Sequence, residues 1–438
     1  MLTESYFVSV TGPPLANNTS ISKDAGIYEQ TLHPSHSTTS TFKKSSAPRN
    51  GLAVSDTHVF AAQEEKSTVH IYPRAKGNQE TVTFPERIQS VTLLDDVLFL
   101  GTQEGRLIVW EICTGRQVTT PACHVQAVTC IAATPYHLVT GSADSNIHVW
   151  SVPRLLELDS TIEHEPQETL SNHRAAITSL ALGQSVNPDT NICVSGSKDK
   201  SCIIWNYQLG IALRTLLFPS SPLCLSLDPC ARAIYVSSED GSLYAVDLFA
   251  EKALLGPQSA EEASTAVQVA SAFGATPQEA GPASCMALNY DGTTLISGHP
   301  RGQILRWDLN SRADSTELTN LNAAVTNINF VSPLPSSRPT KPVAVVKPFL
   351  GSRTYNFTAQ LDSDMPEDTR FSKMIQSQGF PKDEIEKALL EFQAPTDGGV
   401  GDQELRAENE GLWDVINELR ALQKQTFERY LEAKSAKS

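Results

Sequence analysis

The residues best equipped for chemistry are a histidine set between two cysteines, Cys123, His124 and Cys130. Thiolate and imidazole are zinc ligands, but this spacing matches no common zinc pattern, so no metal is assigned to it. His33 and His36, in "LHPSHS", offer a second pair of imidazoles and read as exposed loop residues rather than ligands. The basic run "FKKSSAPR" (42–49) has the composition of a nuclear-import or phosphate-contact patch and reads first as a solvated loop. No GxxxxGKS/T, HExxH, GxSxG or GxGxxG motif stands in a suitable setting. The reading is a non-enzymatic chain with no catalytic residue, no metal and no cofactor.

Composition narrows the partners. A formal net charge of −15 over 438 residues argues against a broad electrostatic grip on nucleic acid, which needs a basic surface to displace counterions. Contact with RNA or DNA is expected only indirectly. No apolar run approaches the roughly 18 residues that span a bilayer, and "MLTESYFVSVTGPP" lacks a basic region followed by an apolar stretch, so no membrane role is expected. The eight cysteines form no CxxC pair and sit mostly in apolar runs such as "VTCIAA", as reduced core residues of an intracellular protein do.

The elements around these residues repeat. "LVTGSADSNIHVW" (138–150) recurs as "CVSGSKDKSCIIW" (193–205), with weaker copies "LFLGTQEGRLIVW" (98–110), "LISGHPRGQILRW" (295–307), "IYVSSEDGSLYAV" (234–246) and "VFAAQEEKSTVHIY" (59–72). Their last positions, Tyr72, Trp110, Trp150, Trp205, Val246 and Trp307, are spaced by 38, 40, 55, 41 and 61 residues. The period is therefore about 40, with two insertions. Each copy reads as two antiparallel strands about a tight turn, preceded by another apolar strand such as "AVTCIAA" (127–133) or "AITSLAL" (176–182). Three inner strands and a variable outer one make a propeller blade.

On these motifs the chain resembles the WD40 β-propellers. The resemblance places His124, Thr140, Asp144 and Trp150 in the hydrogen-bonded tetrad of one blade, and His173, Ser195, Asp199 and Trp205 in that of the next. A turn carboxylate can accept from the imidazole, the imidazole from the hydroxyl, and the hydroxyl from the indole N–H. Such a buried network is useful only when every member is satisfied. Elsewhere the tetrad reads as eroded, with Gly105 at the aspartate position of one repeat and Arg301 in the last.

Six copies are visible and a seventh is assembled from "AVTNINF" (324–330), "PVAVVKPFL" (342–350) and the N-terminal "ESYFVSV" (4–10). The expectation is an all-β, seven-bladed propeller over residues 1–350, closed by its N-terminal strand, which removes exposed edges. A Ser/Thr-rich loop is expected at 34–50 and insertions at 153–171 and 251–282, the second with room for a short helix. Residues 351–401 read as a linker with a short helix near 381–392, and 402–438 as one long amphipathic helix.

That helix carries Leu405, Leu412, Leu419 and Thr426 at heptad spacing, interleaved with Asn409, Ile416, Gln423 and Tyr430. Trp413, Val415, Leu422 and Phe427 flank the seam and widen the apolar face. Leu405, Leu412, Trp413, Ile416, Leu419, Leu422 and Phe427 are thus the candidate partner-binding or dimerisation residues, unless the helix folds back on its own propeller.

In this layout, with the N-terminal strand and the helix around Leu412, Trp413 and Leu419, the chain resembles the WD-repeat subunits of rixosome-type complexes. The resemblance implies a scaffold in the nucleus, both nucleolus and nucleoplasm, acting on precursors of the large ribosomal subunit. It implies helical-repeat and smaller partner subunits, removal of the second internal transcribed spacer from pre-rRNA, and work with the AAA ATPase midasin on pre-60S particles. Links to DNA replication and heterochromatin come with it. The alternatives are a substrate receptor of a ubiquitin ligase, which usually carries an adaptor-binding motif ahead of the propeller, and a trafficking scaffold.

Overall fold

The computed structural model describes residues 3–12, 24–75, 77–158, 164–183, 191–249, 254–255, 266–310, 315–333 and 344–348. Within 411–426 it describes residues 411, 413, 414, 417, 418, 420–422 and 424–426. The chain divides into two compact units, Met1–Gln360 and Leu361–Ser438.

Seven sheets form the ring of the first unit, antiparallel throughout except for a short fifth strand added to the edge of blade 4. Blade 1 is Leu52–Val54, His58–Ala62, Thr68–Pro73 and Glu80–Thr83. Blade 2 is Ile88–Leu94, Val97–Thr102, Leu107–Glu111 and Gln117–Thr119. Blade 3 is Val128–Ala133, His137–Ser142, Ile147–Ser151 and Glu168–Leu170. Blade 4 is Ile177–Leu182, Ile192–Ser197, Ser201–Asn206 and Ile211–Leu217. Blade 5 is Pro222–Leu227, Ala233–Ser238, Ser242–Asp247 and Gly274–Ala275. Blade 6 is Cys285–Leu288, Thr294–Gly298, Gln303–Asp308 and Thr316–Asn320. Blade 7 joins strands that are far apart in the chain. Its innermost strand is Ala324–Phe330, followed outward by Glu4–Thr11, Ala25–His33 and Ser37–Lys43.

Burial explains the ring. Each blade has apolar side chains on both faces of its middle strands, so neither face is stable in water and each must be covered by a neighbouring blade. Seven apolar clusters result, one in each interface between adjacent blades. The turn between the second and third strands takes a left-handed residue in blades 1 to 6. Glu65, Gly105, Ser145, Lys200, Gly241 and Gly302 fill that position with φ between 55° and 89°.

Polar links between neighbouring blades form a closed circuit. The Val91 amide donates to Asn50 O, Ser90 Oγ to Val128 O, Thr129 Oγ1 to Ile177 O and Thr178 Oγ1 to Pro222 O. Ser237 Oγ donates to Ala283 O, Ser284 Oγ to Val325 O and Asn329 Nδ2 to Leu52 O, which completes the ring. The innermost strands of blades 2 to 5 each carry a bulge at the same place. A bulge frees a ladder carbonyl. Asn50 Nδ2 donates to one such carbonyl, that of Thr129, at 3.0 Å. Arg49 Nη2 donates to another, Leu223 O at 2.9 Å, and to Ser284 O at 2.6 Å.

The structure corrects several expectations. The stretch read as a loop at 34–50 contains the outer strand Ser37–Lys43, and the end of the basic run, Arg49, bonds to blades 5 and 6. His33 closes the strand Ala25–His33 and lies 3.8 Å from Glu4, while His36 lies 3.3 Å from both Tyr6 and Gln30. Both rings are half-buried. Residues 344–348 add no strand to blade 7, whose additional strands are N-terminal.

The insertion at 153–171 provides a four-residue helix, Val152–Leu155, and the outer strand of blade 3. The one at 251–282 supplies Val267–Gln268, parallel to the edge of blade 4, and the outer strand of blade 5. Its described residues contain no helix.

In the second unit, the described residues between 411 and 426 are helical and exposed. The short helix expected at 381–392 lies outside the described residues, as do the ends of the long helix expected at 402–438.

Candidate functional site

Blade 3 brings His124, Thr140, Asp144 and Trp150 together. Trp150 Nε1 donates to Thr140 Oγ1 at 3.0 Å, and the same hydroxyl lies 2.9 Å from His124 Nε2. His124 Nδ1 lies 3.3 Å from Asp144 Oδ2. The indole can only donate and the carboxylate can only accept, so a neutral His124 gives its N–H to Asp144 and takes the Thr140 hydroxyl proton at Nε2, while that hydroxyl accepts the indole. The ring proton then sits on Nδ1 and points at the carboxylate.

Blade 4 repeats the arrangement. Trp205 Nε1 donates to Ser195 Oγ at 2.8 Å, Ser195 Oγ lies 2.7 Å from His173 Nε2, and His173 Nδ1 lies 3.1 Å from Asp199 Oδ2. The two carboxylates also organise their turns, accepting from the Val125 and Asn146 amides in one blade and the Arg174 and Ser201 amides in the other. Burial raises the pKa of Asp144 and Asp199. Bonds from the imidazole and the turn donors outweigh it and hold both well below the usual carboxylate range.

An Asp, His and Ser in this order also describe a hydrolytic triad, so access decides the chemistry. Thr140 and Ser195 are fully buried, and each hydroxyl is already engaged by an indole and an imidazole. Neither can reach a substrate carbonyl, so the tetrads are struts. His124 has both ring nitrogens committed, and the Cys130 thiol lies against Gly141 O with its pKa pushed up to about 12 by burial. Among the described residues no group of three or more His, Cys, Asp or Glu is placed to hold a metal ion.

Two polar chains escaped the sequence reading. In blade 6, Trp307 Nε1 donates to Ser297 Oγ at 2.8 Å, and Ser297 Oγ lies 2.9 Å from His299 Nε2. His299 Nδ1 in turn lies 2.9 Å from Gly281 O, so a backbone carbonyl stands where blades 3 and 4 have a carboxylate. The signal was "SGH" at 297–299, with Ser297 ten residues before its tryptophan as in the other two blades. In blade 3, His148 stacks on His124 at 4.1 Å, with its nitrogens near Thr169 Oγ1 and Cys123 O. Burial, then the neighbouring His124, pushes the His148 pKa down to about 4. Blade 2 requires a correction of register. Gly105 occupies the left-handed turn position that Ser145 and Lys200 hold elsewhere, and Glu104 stands at the aspartate position.

The helical unit presents a different surface. Trp413 is 56% exposed and Leu422 52% exposed, on either side of the heptad seam. Leu405, Leu412, Ile416, Leu419 and Phe427 lie outside the residues whose side chains are described.

A ring of seven four-stranded blades with indole, hydroxyl, imidazole and carboxylate struts defines the class: the chain is a seven-bladed β-propeller of WD40 repeats. The WD domain, G-beta repeat family matches residues 115–151 and 164–206, the two blades with complete tetrads, and the Vps8 beta-propeller family matches residues 266–340. Among curated proteins the chain is similar to "Pre-rRNA-processing protein IPI3" of Yarrowia lipolytica. The two are 26% identical over 320 residues, covering 71% of this chain and 72% of that protein. It is also similar to "WD repeat-containing protein 18" of Mus musculus, 24% identical over 409 residues, covering 89% of this chain and 90% of that one. A crystal structure of the computationally designed protein Ika8 shares the fold, with a TM-score of 0.51 at 18% identity, over 73% of this chain and 90% of the other.

Proposed function

We propose that the chain is a non-enzymatic WD-repeat scaffold for pre-rRNA processing. The observation that carries this reading is its similarity, across 71% of its length, to a protein named for pre-rRNA processing. The tetrads agree with a scaffold, because their reactive groups are spent on holding blades rather than on a substrate.

The finer reading follows the rixosome-type resemblance. The protein acts in the nucleus on pre-60S particles and promotes removal of the second internal transcribed spacer. Its partners are a helical-repeat subunit, a smaller subunit and midasin. The C-terminal helix is the assembly handle, either pairing with a second copy or docking on a partner. Exposed Trp413 and Leu422 support this role, since large apolar side chains on a helix favour contact over solvent.

Affinity isolation of the tagged full-length protein from its native cells, with mass spectrometry, tests the proposal. Recovery of a helical-repeat protein, midasin and large-subunit precursor proteins is the expected result. Recovery of cullin adaptors or vesicle-coat subunits without them sinks it. Depletion of the protein is expected to accumulate precursors that still carry the second internal transcribed spacer.

A further inference from the structure

Trp110 has a hydrogen-bonding need that its own blade does not meet. Ten residues before Trp150, Trp205 and Trp307 stand Thr140, Ser195 and Ser297, and each hydroxyl accepts the indole. Ten residues before Trp110 stands Leu100. The Trp110 side chain is fully buried, and a buried donor without an acceptor costs about 1–3 kcal/mol.

The acceptor comes from beyond the last blade. Trp110 Nε1 donates to Val346 O at 3.2 Å, and the Val346 amide donates to Ile112 O at 2.9 Å. Val345 packs on the apolar cluster between blades 1 and 2. Val346 lies so close to Gly115 that a Cβ there would come within 2.7 Å of its Cγ1, and Gly115 has φ +72°. Lys347 Nζ lies 3.7 Å from Glu80 Oε2 on the outer strand of blade 1.

We propose that the rim of blade 2 beside blade 1 is a binding site for an extended peptide, and that residues 344–348 of the same chain are its occupant. Recognition is by backbone, as in strand addition: one residue of the peptide gives its N–H to Ile112 and its C=O to Trp110. Two small apolar side chains fill the space over the cluster and over Gly115, and a following basic residue meets Glu80. The occupant completes the polar chain that Leu100 leaves open, and it pins the first two blades with a segment from beyond the seventh.

The test uses the full-length chain. Val346→Pro removes the amide that reaches Ile112. Indole proton exchange at Trp110 is expected to become about tenfold faster, the scale of one lost hydrogen bond. Peptides covering 107–116 are expected to lose protection while those covering 192–206 keep theirs. A synthetic peptide spanning residues 342–348, added to the variant, restores protection at 107–116, and a scrambled peptide does not. Unchanged exchange at Trp110 in Val346→Pro, or a folded variant that ignores the added peptide, overturns the proposal. If Val346→Pro fails to fold, Trp110→Phe supplies the readout. Removing the indole while keeping the strap is then expected to free 344–348 to exchange, and full protection of 344–348 in that variant counts against the site.

Discussion

Ser297 and His299 stand two residues apart at the end of the second strand of blade 6, and both side chains join a single polar chain. The Ser297 hydroxyl accepts the Trp307 indole and lies 2.9 Å from the His299 ring. Because the imidazole enters from the strand end, its outer nitrogen meets a backbone carbonyl, and the blade needs no turn aspartate. Arg301 at that position stands outside this polar chain and donates to Glu279 O at the surface. His299→Ala is expected to lower stability by about 2–3 kcal/mol, and Arg301→Ala by less than about 0.5 kcal/mol. Urea midpoints of the two variants check the contrast, and equal losses would contradict it.

The strut role of the blade 4 tetrad predicts energetic coupling between Ser195 and Trp205. In a double-mutant cycle of Ser195→Ala and Trp205→Phe, the coupling is expected to be about 0.5–3 kcal/mol. Additive losses would mean that the 2.8 Å contact contributes packing alone.

Arg49 reaches two carbonyls on blades that are distant in sequence, both through the one nitrogen Nη2. Arg49→Met is expected to cost about 1–3 kcal/mol by leaving Leu223 O and Ser284 O without a donor. Arg49→Lys is expected to recover only part of that loss, because the ammonium has donors enough for both carbonyls but ends a shorter side chain than the one that places Nη2 between them. Full rescue by lysine, measured by chemical denaturation, would remove the geometric argument.

Stability is expected to fall in two acid steps. The His148 pKa is about 4 in the folded chain against an ordinary 6.5, so on acidification the unfolded chain takes up a proton first. That contribution is complete above 6.5, declines as pH drops towards 4, and is fully lost below it. Asp144 and Asp199 are depressed carboxylates, so their contribution persists to lower pH and disappears only as they protonate. Replacing His148 with Gln is expected to make the fall of the thermal midpoint between pH 6.5 and 4 shallower and to leave the lower step in place. An unchanged upper step would assign it to other buried histidines such as His299, which burial also shifts downward.

Deleting residues 402–438 is expected to abolish assembly while the propeller retains its thermal midpoint. Trp413→Asp with Leu422→Asp should weaken the same assembly without changing the far-ultraviolet signal of the β unit. Light scattering and co-purification check both, and an intact assembly after deletion would exclude the helix as the handle.

The repeats were legible because burial constrains both faces of the middle strands, so "LVTGS" and "IHVW" recur with their tryptophan at a fixed place. The outer strand Ser37–Lys43 was not, since "STTSTFK" buries none of its side chains deeply and so shows no clear apolar alternation. The strap at 344–348 reads as a strand in isolation, and only tertiary placement reveals that its acceptor serves Trp110. His299 was hidden for another reason. A tetrad search looks for histidine ahead of the first strand, whereas here the ring sits just after the hydroxyl it serves. Arg49 looked like part of a solvated basic run because no local pattern records a carbonyl freed by a bulge more than a hundred residues later.

Closure by three N-terminal strands and one C-terminal strand also sets an order of events at the ribosome. Glu4–Thr11 is made first, and its inner partner Ala324–Phe330 emerges some three hundred residues later. At roughly 5–20 residues per second that delay is on the order of 15–60 s. For all of that time the nascent chain carries an apolar strand with one unpaired edge, the state in which β proteins are most exposed to wrong partners. That edge is covered only when Ala324–Phe330 is made, so closure of the ring waits on the last strand of the last blade.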